Sequence, residues 1–190
     1  RDPLPDERKI SYSQFSMYSQ CPKHWELAYA KGLRTFSQSI HTIFGTAMHE
    51  TLQHFLTVMY DESVKKAEEI DLHKYLKDQM YNLYKEAVEK MGEHFSNKFE
   101  LGEFYEDGVA ILDWFKRKRG GYFSRKNEEL IGIEVPIYHP VNDTNDKVMM
   151  LGYLDIVIRD KRNNKITIID IKTSTRGWNK YQKADKTKTS

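Results

Sequence analysis

Cysteine is almost absent: Cys21 is the only one in 190 residues. A single thiol excludes an internal disulfide and any cysteine-based zinc site, and it suits a reducing compartment. Long apolar runs are missing too. Nothing in the chain approaches the roughly 18 residues that cross a bilayer, so no membrane span is expected. No charged-then-apolar leader follows Arg1, so no signal peptide is expected either. No stretch rich in Pro, Gly or Ser divides the chain and no repeat is visible, so residues 1–190 read as one domain. What is present is 39% hydrophobic and 31% charged residues, with 12 Tyr and 9 Phe. That is the composition of a soluble globular chain with a core, not of a disordered one.

Net charge is also small, +2 from 30 bases and 28 acids, but it is unevenly spread. Residues 61–107 hold 13 acids and 7 bases. Residues 116–126 hold six bases (Lys116, Arg117, Lys118, Arg119, Arg125, Lys126) and no acid. Residues 172–190, with Arg176 and Lys180 among them, hold six bases and only Asp185. Two concentrated positive segments suit a polyanion such as nucleic acid. Solvated helix ends and a loose basic terminus produce the same runs.

The first half reads as helix. Ser11 and Ser13 are candidate N-caps for a short helix carrying Phe15 and Tyr18, which Pro22 ends or redirects. A second helix is expected from about Gly45 or Thr46, because Met48, Leu52, Phe55, Leu56 and Met59 form one apolar stripe. A third is expected over 72–95, with Leu76, Met80, Leu83, Ala87 and Met91 facing inward. A fourth carries Phe104, Gly108, Ile111, Leu112 and Phe115 and stops at Gly120 and Gly121. After Asn127 the period changes to two. Ile131, Ile133, Val135 and Ile137 alternate as a strand does, with Glu134 on the opposite face. Residues 139–146 (HPVNDTND) read as a turn, 149–158 as a second strand and 166–172 as a third. The expected class is therefore α/β: mainly helix over 1–126, a three-stranded antiparallel meander over 127–175 with helices packed against it, and a basic tail over 176–190.

The last hairpin carries the chemistry. Asp170 and Lys172 are two apart and share a strand face. If Asp160 pairs with Lys165, the pairing sum is 325 and Asp155 stands opposite Asp170, with Cβ atoms about 5 Å apart. A tighter turn at Asn163 and Asn164 gives 327 and sets Asp155 opposite Lys172. Both registers keep the three residues on one face. Two carboxylates that close repel unless a cation lies between them or one is protonated. Oxygen ligands of this kind suit Mg²⁺ or Mn²⁺, and a neighbouring lysine can orient an attacking water and offset charge on a phosphate. A surface salt bridge, worth about 0–1 kcal/mol, fits the bare spacing equally well.

Leu154 and Asp155, fourteen further residues, then Asp170, Ile171 and Lys172 resemble the PD-(D/E)XK nuclease signature, with Leu154 in the place of its proline. Three more stretches resemble the RecB-type branch of that superfamily, in family order: 11–22 (SYSQFSMYSQCP), 45–49 (GTAMH) and 134–136 (EVP). The resemblance implies a restriction-endonuclease-like core and a metal-dependent DNA nuclease, specifically an exonuclease acting on DNA with a single-stranded end. It implies that Asp155, Asp170, His49 and the carbonyl of Ile171 hold Mg²⁺ or Mn²⁺, that Lys172 positions the attacking water, and that Glu134 is a further site carboxylate. His49 lies at the edge of the apolar stripe, where a backbone-bonded histidine is the other reading; Glu50 and His54 fall toward solvent. The basic residues named above would hold phosphates, and Tyr18, Trp178 and Tyr181 would stack on bases or pack. A catalytically silent DNA-binding or scaffolding module is the alternative function. The setting implied is the cytoplasm of a bacterial or phage-infected cell, in DNA recombination, repair or phage DNA processing, with any helicase or recombination partner unspecified.

Two departures accompany the resemblance. Some RecB-type relatives carry an iron–sulfur cluster on four cysteines; one cysteine cannot hold it, so none is expected and Cys21 is read as a small buried residue. The family's Gln-x-x-x-Tyr helix is also not found before Ser190. The expectation is a core truncated before its final helix and strand, with weak activity as an isolated fragment.

Overall fold

The computed structural model describes residues 8–34, 37–142 and 145–173. The chain divides into two compact units. One comprises Arg1–Ser37 with Glu129–Asp170, the other Gln38–Glu128 with Ile171–Ser190.

The first unit is built on a sheet. Strand β1 spans Arg8–Ser11, β2 Glu128–Asn142, β3 Asn145–Asp160 and β4 Ile166–Ile169. β3 is the organising strand. It neighbours both β1 and β2, pairing in parallel with β1 through Arg8↔Val148 to Ser11↔Leu151. Farther along it pairs antiparallel with β4 through Ile156↔Ile169 to Arg159↔Ile166. Ile156, Val157 and Ile158 are buried in succession, the continuous apolar run of a strand covered on both faces.

The expected three-stranded meander thus gains a fourth, parallel strand. β1 is too short, and too charged at Arg8 and Lys9, to show a period. The turn expected over 139–146 is corrected as well: β2 runs on to Asn142 and β3 begins at Asn145. Pro136, expected within a strand, and Pro140, expected in the turn, are both tolerated because β2 ends the strand order, and an edge strand has a side that needs no N–H donor.

Ser11 caps helix α1 (Tyr12–Gln20), its side chain accepting from the Gln14 N–H at 3.3 Å. Pro22 opens α2 (Pro22–Trp25), which runs into a π-helical turn over Glu26–Ala30. Cys21 is exposed, not buried. Its sulfur lies at the α2 N-terminus and accepts from the His24 N–H at 3.4 Å, a capping position that holds it at the surface.

The second unit is a helical bundle around α3 (Ile40–Asp61), with α4 (Val64–Glu68), α5 (Leu72–Met91) and α6 (Lys98–Lys118). α3 begins at Ile40, after the Ser39 cap and five residues before Gly45, because Ile40, Ile43 and Phe44 extend its stripe backward and are buried with it. Phe44, Met48, Phe55, Leu56 and Met59 are all within 2% of full burial, each worth about 1.5–3 kcal/mol against exposure. α5 stops at Met91, short of the expected 95, because Gly92 adopts a left-handed φ of 75° and ends the helix. Leu76, Met80 and Ala87 are buried as expected, whereas Leu83 and Met91 are only half-buried. No described helix is long and apolar enough to cross a membrane.

Candidate metal centre

The hairpin takes the first of the two registers open from sequence. The Asp160 N–H donates to the Lys165 carbonyl at 2.9 Å and the Asn164 N–H to the Asp160 carbonyl at 2.8 Å, and every pair between β3 and β4 sums to 325. The last pair is Ile156↔Ile169. One step further stand Asp155 and Asp170. The third strand was expected to reach Lys172, but β4 ends at Ile169. The ladder stops where continuing it would force two carboxylates directly opposite one another.

A third carboxylate joins from β2. A side-chain oxygen of Glu134 and one of Asp155 lie within 4.8 Å of each other. Glu134 does not reach this position by simple alternation. Its φ is +49°, and a Cβ on Gly132 would sit only 2.7 Å from Val135 Cγ2. In a regular strand residues three apart face opposite sides, so the chain kinks sharply between 132 and 135. Only glycine fits at 132. A left-handed residue within a strand re-aims the side chains beside it, and a left-handed glutamate costs about 1–2 kcal/mol. The strict alternation read over 131–137 is therefore interrupted at Glu134, and Ile131 and Ile137 are 46% and 44% exposed.

In the second unit, α3 receives the chain that follows the hairpin. His49 Nε2 lies 2.7 Å from the Ile171 carbonyl oxygen. One turn earlier on α3, Gly45 faces Thr173, whose Oγ1 would lie 3.5 Å from a Cβ at that glycine. Residues 171–173 thus run along the GTAMH turn of α3. His54 and Glu50 are half-buried instead of facing solvent. His54 stacks on Tyr75 with centroids 4.6 Å apart and planes 5° apart. Burial, and after it the charge of Glu86, pushes the Glu50 carboxyl above its ordinary range. Lys172 and Asp170 are exposed.

The donor set fits a hard divalent cation. In the first unit Glu134, Asp155 and Asp170 offer carboxylate oxygens; in the second Ile171 offers a carbonyl and His49 an imidazole; no thiolate is among them.

The basic residues are arranged differently from the simple positive face that charge runs suggest. Lys116 Nζ donates to the Ile70 carbonyl at 3.3 Å, and Arg119 Nη2 to Glu68 Oε1 at 2.6 Å. Arg125 donates to the carbonyls of Tyr60 at 3.1 Å and Glu62 at 2.8 Å. These acceptors sit at the C-terminal ends of α3 and α4, where helix carbonyls lack partners and cations are favoured. Arg117, Lys118 and Lys126 are exposed. Arg176, Lys180, Trp178 and Tyr181 lie outside the described residues.

A search of curated proteins finds no match. A family model described as the PD-(D/E)XK nuclease superfamily matches residues 9–188. That span takes in β1, both units and all the motif residues, and the chain belongs to the PD-(D/E)XK nuclease superfamily.

Proposed function

We propose that this chain is a DNA nuclease of the RecB-type branch, dependent on Mg²⁺ or Mn²⁺, and an exonuclease acting on DNA with a single-stranded end. Its setting is cytoplasmic, in DNA recombination, repair or phage DNA processing. Residues 1–190 work as one nuclease core. The observation that carries the reading is the hairpin register, which ends its ladder one step before Asp155 and Asp170 with Glu134 within 4.8 Å of Asp155.

In this reading Asp155, Asp170, Glu134, His49 and the Ile171 carbonyl hold the cation. A cation bound there would supply Lewis-acid polarisation of a phosphoryl oxygen and a more nucleophilic water at neutral pH. Lys172, two residues after Asp170, orients the attacking water and offsets negative charge on the phosphate. The closeness of the Glu134 and Asp155 carboxylates favours a cation between them. Arg117, Lys118 and Lys126 are open to phosphates. Lys116, Arg119 and Arg125, already bonded to the protein, contribute through their charge.

Incubation of the protein with linear DNA and Mg²⁺ or Mn²⁺ tests this. Shortening of the DNA that EDTA stops and that Asp170→Ala abolishes is expected. DNA that is retarded on a gel but left intact by the wild type overturns the catalytic reading in favour of a binding module.

A further inference from the structure

α1 is a nine-residue helix that carries Tyr12, Phe15, Met17 and Tyr18, yet none of its residues is buried. Tyr12 is 62% exposed, and Phe15 and Tyr18 are 53% exposed. Single exposed apolar residues are ordinary, but contiguous ones mark a contact surface. These three follow at i, i+3 and i+6, the spacing that makes helical side chains neighbours, and each is about 4.5 Å farther along the axis. Behind Tyr18 the ring of Trp25 meets it edge-on at 5.7 Å, and Tyr29 stacks on Trp25 at 6.4 Å. The second row is therefore held in place, while the first row stays more than half exposed.

The same segment is strongly basic. Residues 8–34 contain five bases (Arg8, Lys9, Lys23, Lys31, Arg34) against the single acid Glu26. The Arg8 guanidinium lies over Trp25 at 5.4 Å and that of Arg34 over Tyr29 at 5.8 Å. Exposed rings interleaved with cations are what a single-stranded nucleic acid needs: π-faces for unpaired bases and positive charge for the backbone between them. A duplex has no free base faces to offer. An apolar protein partner would not call for a fivefold excess of bases.

The sheet gives this helix a direction. β1 runs parallel to β3 and ends with Ser11 level with Leu151. α1 therefore starts four residues before Asp155 along β3, about 13 Å away at strand rise, and on the side toward which β1 points.

We infer that α1 is a stacking platform for single-stranded DNA, on which Tyr12, Phe15 and Tyr18 hold unpaired bases while Arg8, Lys9 and Arg34 hold the intervening phosphates. The inference rests on the nuclease reading for the identity of the polymer as DNA. The platform itself rests on the rings and the charge around them.

Binding of a fluorescent oligo-dT and of a blunt duplex, measured by anisotropy in EDTA so that no cleavage occurs, tests the platform. Base stacking on aromatics implies that Phe15→Ala and Tyr18→Ala each weaken oligo-dT binding at least about fivefold, with duplex binding changed less than twofold. Phe15→Tyr and Tyr18→Phe, which keep the π-face, are expected to bind as the wild type does. Circular dichroism of the alanine variants checks that these exposed positions leave the fold intact. Unchanged oligo-dT affinity in the alanine variants overturns the platform, and so does an equal loss for duplex, because phosphate contacts alone would then explain binding. Neither result touches the nuclease reading, which stands or falls on the EDTA-sensitive cleavage. Loss of cleavage without loss of ring-dependent oligo-dT binding would remove the catalytic reading and leave the platform.

Discussion

The Nε2 atom of His49, in the middle of α3, lies 2.7 Å from the carbonyl oxygen of Ile171, 122 residues later and bonded directly to Asp170. A carbonyl only accepts, so Nε2 carries the proton in this arrangement. Metal ligation needs the lone pair of that same nitrogen. With a cation present, the proton is therefore expected on Nδ1. Histidine nitrogen NMR on labelled protein reads the tautomer: Nε2–H without metal and Nδ1–H with saturating Mg²⁺. A tautomer that Mg²⁺ leaves unaltered would remove His49 from the ligand set.

Glu134 and Asp155 hold carboxylate oxygens within 4.8 Å of each other, an arrangement that a bound cation stabilises. At ten times its dissociation constant, a ligand selective for the folded state adds about 1.4 kcal/mol. For a chain of this size that is a rise in Tm of roughly 3–6 °C. Thermal melting with and without Mg²⁺ is expected to show this rise in the wild type. In Glu134→Gln combined with Asp155→Asn it is expected to vanish, with a metal-free Tm no lower than the wild type's. A full shift in the double variant would mean that the cation binds elsewhere.

Much of this site is legible in the sequence because strand parity is rigid. Asp155, Asp170 and Lys172 keep one face under either hairpin register, and the Asp160–Lys165 closure selects 325. The helix that carries His49 is legible for a similar reason, since its stripe from Met48 to Met59 has a helical period and is buried. Other features have no such signal. The β1 strand is four residues long and gains its partner through β3, far along the chain. The kink at Glu134 depends on a positive φ that a glutamate does not advertise. The tethering of Lys116, Arg119 and Arg125 to helix C-termini is tertiary, and a count of charges along the chain cannot tell it from an open basic face.

Tyr60 closes the C-terminal end of α3 against the start of β2. Its hydroxyl donates to Glu128 Oε2 at 3.1 Å, and the Ser124 N–H donates to the same oxygen at 2.8 Å. Burial, followed by the charge and hydrogen bond of Glu128, raises the phenol above its ordinary value of 10.0. As pH rises past about 10, the unfolded chain therefore gives up this proton before the folded one, and stability falls. Tyr60→Phe is expected to cost about 1 kcal/mol at neutral pH through the lost bond. The gap between the two proteins should narrow above about pH 10, because phenylalanine has nothing to titrate. Urea denaturation at pH 7 and at pH 10.5 checks both statements. A gap that is constant with pH would contradict the second.

α6 approaches its neighbours through Gly108. A Cβ there would meet Leu76 Cδ2 at 2.5 Å, Phe44 Cε2 at 3.1 Å and Met48 Sδ at 3.4 Å. Alanine gains about 1 kcal/mol of helix propensity over glycine, but overpacking a full core costs about 1–3 kcal/mol. Leu76 has no free volume to turn into, since it is 0% exposed. Gly108→Ala is expected to destabilise by about 1 kcal/mol in chemical denaturation, given that overpacking penalty. In a Leu76→Ala background, where the colliding methyl is gone, the same change is expected to stabilise. Equal effects in both backgrounds would show that the contact with Leu76 is not what matters.

Glu134 holds a left-handed backbone, φ +49°, at a position whose carboxylate lies within 4.8 Å of that of Asp155. Asparagine adopts this conformation with little strain, whereas glutamate costs about 1–2 kcal/mol there. Glutamate at this point makes sense if the carboxylate is used, because strained backbone persists where the strained residue has work to do. Glu134→Asn relieves the strain and removes one of the two neighbouring carboxylate charges together. Its metal-free Tm is therefore expected to rise by a few degrees, while both the Mg²⁺-dependent rise in Tm and DNA cleavage fall. Glu134→Gln separates the two effects, since it removes the charge and keeps the strain: its metal-free Tm should rise less than that of Glu134→Asn, with cleavage lowered to the same degree. If Glu134→Asn instead melts earlier than the wild type in the absence of metal, the left-handed turn is held by the glutamate side chain itself, and its conformation is a structural requirement independent of the cation.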